Sequence, residues 1–171
     1  MTDIDLKSIL EVATADTIIA VKQLPSKKDL PPTLIVIKDG MVVESKHNDI
    51  LNSMFEFNKG VAFAVMRQAL QEFQADAYVL ILASWFTITE NPTQEDIARI
   101  KNEGIANNPN KMECYAIEAG NSEECLFKLM KVKRDYKGKI TELVEYTLPP
   151  DMEISGRAFN LMESPKGRTV N

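Results

Sequence analysis

Along the first two dozen positions Leu6, Ile9, Leu10, Ala13, Thr17, Ala20, Val21 and Leu24 recur at three- and four-residue steps. That spacing gives one stripe on a helix and predicts an amphipathic helix over 4–24. Thr2 with Asp5 fits a capping box at its start, and Pro25 ends it. The polar linker PSKKDLPP follows, and the pattern then changes to a β-rich run, TLIVIKDGMVVES, broken by Asp39-Gly40. Asp-Gly tolerates the positive φ angles of a tight turn, so 33–44 reads as a β-hairpin. Past an ambiguous stretch containing His47, Ala62, Met66, Ala69, Leu70 and Phe73 share one helical face over 58–74, with Asn58 as N-cap. DAYVLILASWFTI is apolar at both parities, as expected of a strand covered on both faces. Thr93 and Asp96 open a short helix that Gly104 closes. From there to Leu148 the pattern is strand, turn, strand, turn, strand, with turns at Gly120-Asn121 and Lys137-Gly138.

These elements predict one α+β domain over 1–148 and a C-terminal tail over 149–171. The expected architecture is a mainly antiparallel sheet of five or six strands, with the two long helices packed on one face. The chain has 171 residues, enough to bury a core without a disulfide or a metal. No apolar run reaches the roughly 18 residues of a membrane span. The N-terminal segment is acidic where a secretory signal is basic, so a cytoplasmic location with reduced thiols is expected. A net charge of −5 argues against nucleic acid as a partner.

Both cysteines follow a glutamate, in MECYAIEAGNSEECLFKLMKVKRD. Pairing Glu118 with Glu123 in a hairpin places Met112, Cys114, Ala116, Cys125, Phe127 and Leu129 on one apolar face. The thiols are then core residues rather than chemistry. Pairing Tyr136 with Lys139 in the next hairpin sets Lys133 opposite Glu142, Phe127 opposite Leu148 and Leu129 opposite Tyr146, which turns the basic run into a salt-bridged face.

Two cysteines with ten residues between them and one histidine do not make a zinc site, so no metal is expected. Seven scattered glycines form neither a P-loop nor G-x-G-x-x-G, so no nucleotide and no cofactor is expected. His47, in ESKHND, has no nucleophile elbow beside it, and no catalytic residue is assigned. Trp85, Glu90 and His47 form the best candidate for a ligand pocket, the basis of the alternative reading as a small-molecule-binding protein or hydrolase.

The stretch from the second helix through DAYVLILASW resembles uncharacterised small proteins of phages and bacteria, in which a similar strand ends in an acidic residue shortly before a Trp; Ala83 stands at that position here. The resemblance covers about a quarter of the chain and implies no activity. The order of elements also resembles profilin-like and roadblock-type sheets, which often serve as binding scaffolds.

The leading reading is a non-enzymatic protein-interaction or assembly module that associates with itself or with another protein. Two helices on one face would leave the other bare. On the C-terminal hairpins that second face would carry Tyr115, Ile117, Leu126, Met130, Val132 and Leu143, with Phe159, Leu161 and Met162 of the tail at its margin. Tyr115, Ile117, Leu126, Met130, Val132, Leu143 and Phe159 are therefore the expected interface.

Overall fold

The computed structural model describes residues 5–47, 49–87, 93–105, 108–147 and 161–162. Ten elements follow in order: α1 (Leu6–Lys22), β1 (Thr33–Lys38), β2 (Met41–His47), α2 (Asp49–Phe57), α3 (Lys59–Glu72), β3 (Ala77–Phe86), α4 (Gln94–Glu103), β4 (Met112–Gly120), β5 (Cys125–Arg134) and β6 (Ile140–Tyr146). The strands form one open, antiparallel six-stranded sheet in the order β2-β1-β3-β4-β5-β6. Among the described residues no helix is long and apolar enough to cross a membrane.

β3 lies between the N-terminal hairpin and the C-terminal meander, and its first five residues are buried on both faces. Ala77, Val79 and Ile81 point to the α1 side, where they meet Leu6, Leu10, Ala13 and Val21 together with Tyr115, Ile117, Met130, Val132 and Leu143. Tyr78 and Leu80 point the other way, into a cluster with Leu34 and Val36 of β1, Leu51 of α2 and Phe63, Met66, Ala69 and Leu70 of α3. The two long helices therefore lie on opposite faces, not on one face as expected. The physical reason is the alternation of the strand: a segment apolar at both parities needs cover on both sides, and α1 and α3 each supply one.

α1 crosses β3 to β6. Its buried stripe includes two polar residues, Thr14 and Thr17, whose hydroxyls donate to the carbonyls of Leu10 and Ala13, each at 2.7 Å. Bonding back to the preceding turn lets a threonine enter a core without an unpaired hydroxyl. Asp5 caps the helix by accepting from the Ser8 N–H; the expected partner Thr2 lies outside the described residues. α3 starts as its sequence predicts, with the Asn58 side chain accepting from the N–H groups of Gly60 and Val61. α4 opens on the predicted reciprocal cap between Thr93 and Asp96 and closes at Gly104, with φ 71°.

Asp39 and Gly40 both have positive φ, 51° and 72°, as a two-residue mirror-image turn requires. In the β5–β6 hairpin Lys133 stands opposite Glu142, and Leu129 opposite Tyr146, in the expected register; Leu148 lies outside the described residues. The β4–β5 hairpin differs. Gly120 pairs with Cys125, so the turn sits two residues later than expected and every pair is displaced by four. Asn121 sets this turn, its side-chain oxygen accepting from the N–H groups of Glu123 and Glu124, both at 2.8 Å. An even displacement keeps every side chain on its own face, so the two cysteines share one as expected.

The linker after α1 is tied to the meander by one guanidinium. Arg134 donates through Nε to both oxygens of Glu113 at 3.0 Å, through Nη2 to Glu113 and to Asp29 at 2.5 Å, and through Nη1 to the Gly138 carbonyl at 2.9 Å. Tyr115 completes the clamp, donating to Asp29 at 3.2 Å and accepting from the Leu30 N–H at 3.0 Å. Arg134→Ala leaves two carboxylates facing the gap. It is expected to cost about 2 kcal/mol, less than a fully enclosed pair because part of the clamp is wet, as measured by urea denaturation. Lys133→Ala, whose partner Glu142 stands in solvent, is expected to leave the urea midpoint unchanged.

Candidate functional site

On the face opposite α1, the apolar row along β3, β4 and β5 is interrupted by a polar group. Tyr78 pairs with Gly120, and Gly120 with Cys125, so these three lie in one row across three strands. Gly120 is necessary there: a Cβ on it would stand 2.7 Å from Cε1 and Oη of Tyr78. The tyrosine ring therefore lies over bare backbone. Its hydroxyl donates to the carboxylate of Glu118, which is only 4% exposed. The same hydroxyl accepts the N–H of Leu161 at 2.9 Å. Burial, followed by the neighbouring Glu118 carboxylate, pushes the ionisation of Tyr78 far up, so the phenol keeps its proton.

Leu161 is 2% exposed and belongs to the second core cluster, with Met162 packed beside it. Burying one leucine contributes about 1.5–3 kcal/mol. Its amide bond to Tyr78 adds about 1 kcal/mol. Both are modest beside the roughly 5–15 kcal/mol that hold a domain folded. On the same face of β4, β5 and β6, Met112, Ala116, Cys125, Phe127, Leu129, Val144 and Tyr146 are half-buried.

Cys114 is buried and Cys125 half-buried, and neither is in a disulfide. Burial, with a smaller contribution from the Glu113 carboxylate, pushes the Cys114 thiol up to about 12. Among the described residues no three histidine, cysteine or acidic side chains gather as metal ligands.

The three candidate ligand residues are placed as follows. Trp85 ends β3 on the α1 side, 44% exposed, with the Lys111 ammonium 4.6 Å from its ring centre. Its strand neighbour Glu113 is held by Arg134. His47 ends β2 opposite Thr33, which stands opposite Ile81. Two strand spacings across and four residues along separate the His47 and Trp85 backbones by roughly 16 Å. Glu90 lies outside the described residues. The register thus brings Trp85 together with Lys111 and Glu113 and keeps His47 apart.

Of the expected interface residues, Tyr115, Ile117, Met130, Val132 and Leu143 are buried beneath α1, and Leu126 is partly buried against the same cluster. They belong to the core because α1 takes the face that was expected to be bare. Phe159 lies outside the described residues. Besides Trp85, the large exposed apolar side chains described on the sheet are on its outer strand β2: Met41 is 66% exposed, Val42 63% and Val43 42%. β2 also carries a bulge at Val43, since Glu44 pairs with Val36 and Val42 with Ile37. The sequence signal was present in the three consecutive apolar residues after Gly40, but nothing in it says which strand forms the edge.

Comparison with models of known protein families, with curated protein sequences and with solved structures finds no match.

At neutral pH a maleimide is expected to modify Cys125 well before Cys114, whose labelling should follow global unfolding. Because the Cys114 thiol ionises near its ordinary value of 9 when unfolded and near 12 when folded, its contribution to stability is constant below pH 9 and falls as pH rises from 9 to 12. Cys114→Ala should make that alkaline decline shallower in urea melts taken across the range. Gly120→Ala is expected to cost about 1–3 kcal/mol, since the Tyr78 ring must move off both Glu118 and Leu161. Thermal melting checks it, and an unchanged melting temperature would contradict the ring-over-glycine packing.

Proposed function

We propose that the protein is a non-enzymatic interaction module that assembles with itself or with a protein partner through the outer edge of β2. The observation that carries this reading is the run of exposed apolar residues on that edge, Met41, Val42 and Val43. An edge strand offers a row of main-chain donors and acceptors, and proteins that stay single usually guard it with charge, proline or a covering segment. The opposite edge, β6, follows that practice, with Thr141, Glu142 and Glu145 as its exposed positions and Lys133 bonded to Glu142 at 2.8 Å. The first half of β2 carries methionine and valines instead. A strand added beside it would gain main-chain hydrogen bonds and cover apolar side chains on both faces at once.

Val42→Lys places a charge in the middle of this run without touching either core cluster. Light scattering after gel filtration, from low micromolar to several hundred micromolar, is expected to show association of the wild type and its loss in the variant, with the melting temperature at low concentration unchanged. Association that survives the substitution contradicts the reading. So does a wild type that neither associates at any concentration nor binds a protein that Val42→Lys fails to bind.

A further inference from the structure

The site over Tyr78, Gly120 and Glu118 lies inside the sheet, two strands in from the β2 edge, and its chemistry is that of a receptor for backbone. A phenol has one proton to give, and Tyr78 gives it to Glu118. Its oxygen then presents only acceptor lone pairs outward, so whatever approaches must bring a donor. The N–H of Leu161 is that donor. Beside the hydroxyl, the apolar cluster of Leu34, Phe63, Met66 and Leu80 receives the leucine side chain. One hydroxyl acceptor beside one apolar receptacle recognises a peptide segment bearing a leucine with a free amide.

The floor of the cleft does not depend on its occupant. β3 and β4 are paired along their whole length, and α2 and α3 pack on each other and on β1 and β3. Leu161 joins no strand ladder of the sheet. The contact is thus local, made by a residue that lies in sequence beyond all six strands.

We propose that this cleft is a peptide-binding site which the chain fills with its own segment at Leu161–Met162, and from which a leucine-bearing peptide in trans displaces that segment. The internal ligand holds the site closed.

The test uses the full chain and a fluorescein-labelled peptide of sequence RAFNLMESP, residues 157–165, followed by anisotropy. Leu161→Asp vacates the cleft and is expected to bind the peptide saturably, while the wild type binds it at least tenfold more weakly because its own segment competes. Adding Tyr78→Phe to the Leu161→Asp chain keeps the ring and removes the acceptor, and should weaken binding about tenfold. A peptide with alanine in place of its leucine should not bind. A folded Leu161→Asp chain that binds no peptide, equal binding by wild type and variant, or equal binding of the alanine peptide overturns the proposal. Should Leu161→Asp not melt cooperatively, hydrogen exchange of the wild type decides. The Leu161 amide is expected to exchange at least a hundredfold faster than those of Val79 and Ile117, and exchange at their rate overturns the proposal.

Discussion

A strand with five successive residues that water must not reach has to be covered twice, and Ala77 to Ile81 impose that requirement on everything around them. The odd positions draw α1 onto one face and the even positions draw α3 onto the other. Hydrogen bonding then assigns the flanks: β1 pairs along one side of β3 and β4 along the other, so the N-terminal hairpin and the C-terminal meander meet only through this strand. Each core contains residues from both halves of the chain. The core beneath α1 draws about half of its lining from β4 to β6 and cannot form from a local segment alone, whereas the core beneath α3 lies within residues 34–80 apart from Leu161.

The two cores differ in how they tolerate polar groups. Beneath α1 the polar atoms are disposed of locally, by threonines bonding to their own helix, or at the rim, by Arg134 gathering Glu113, Asp29 and the Gly138 carbonyl. Beneath α3 a carboxylate sits inside the sheet, and its partnership with Tyr78 depends on one backbone position having no side chain. Among the described residues no fully buried side-chain nitrogen or oxygen is left without a partner. A satisfied network of this kind holds one geometry, since any shift in β3 against β4 leaves a carboxylate in hydrocarbon.

Much of this was readable from residue order. The caps at Asn58 and Thr93, the Asp39-Gly40 turn and the β5–β6 register are local chemistry, with each decision made by residues within a few positions of one another. The β4–β5 register slipped because Glu118 and Glu123 look like natural partners at a turn, whereas the Asn121 side chain anchors the loop two residues later. Periodicity 2 protected the assignment of faces from that error. Which face each helix takes is a different kind of question. An apolar stripe says that a helix is covered, but it does not say by which side of the sheet, and placing α1 and α3 together moved Tyr115, Ile117 and Met130 from a core to an imagined surface. α2 was missed because its nine residues follow β2 after one intervening position, and Asp49 to Phe57 shows no long periodic stripe. Glu118 was read only as the partner of Glu123 at a turn, and the neighbouring strand reveals that it accepts from the buried Tyr78 hydroxyl.

The placement of α1 also has a consequence for how the chain is made. Its apolar stripe, Leu6 to Val21, is emitted first from a ribosome, yet Met130, Val132, Ile140 and Leu143, which cover it, come more than a hundred residues later. At cellular elongation rates that separation leaves the stripe without its sheet for roughly 6 to 25 s. During that interval the nascent helix has only Ile37 and the β3 residues Ala77, Val79 and Ile81 of its core partners to pack against. This is the stage of its life at which a chaperone has most to hold, and at which two chains on one messenger have most opportunity to meet.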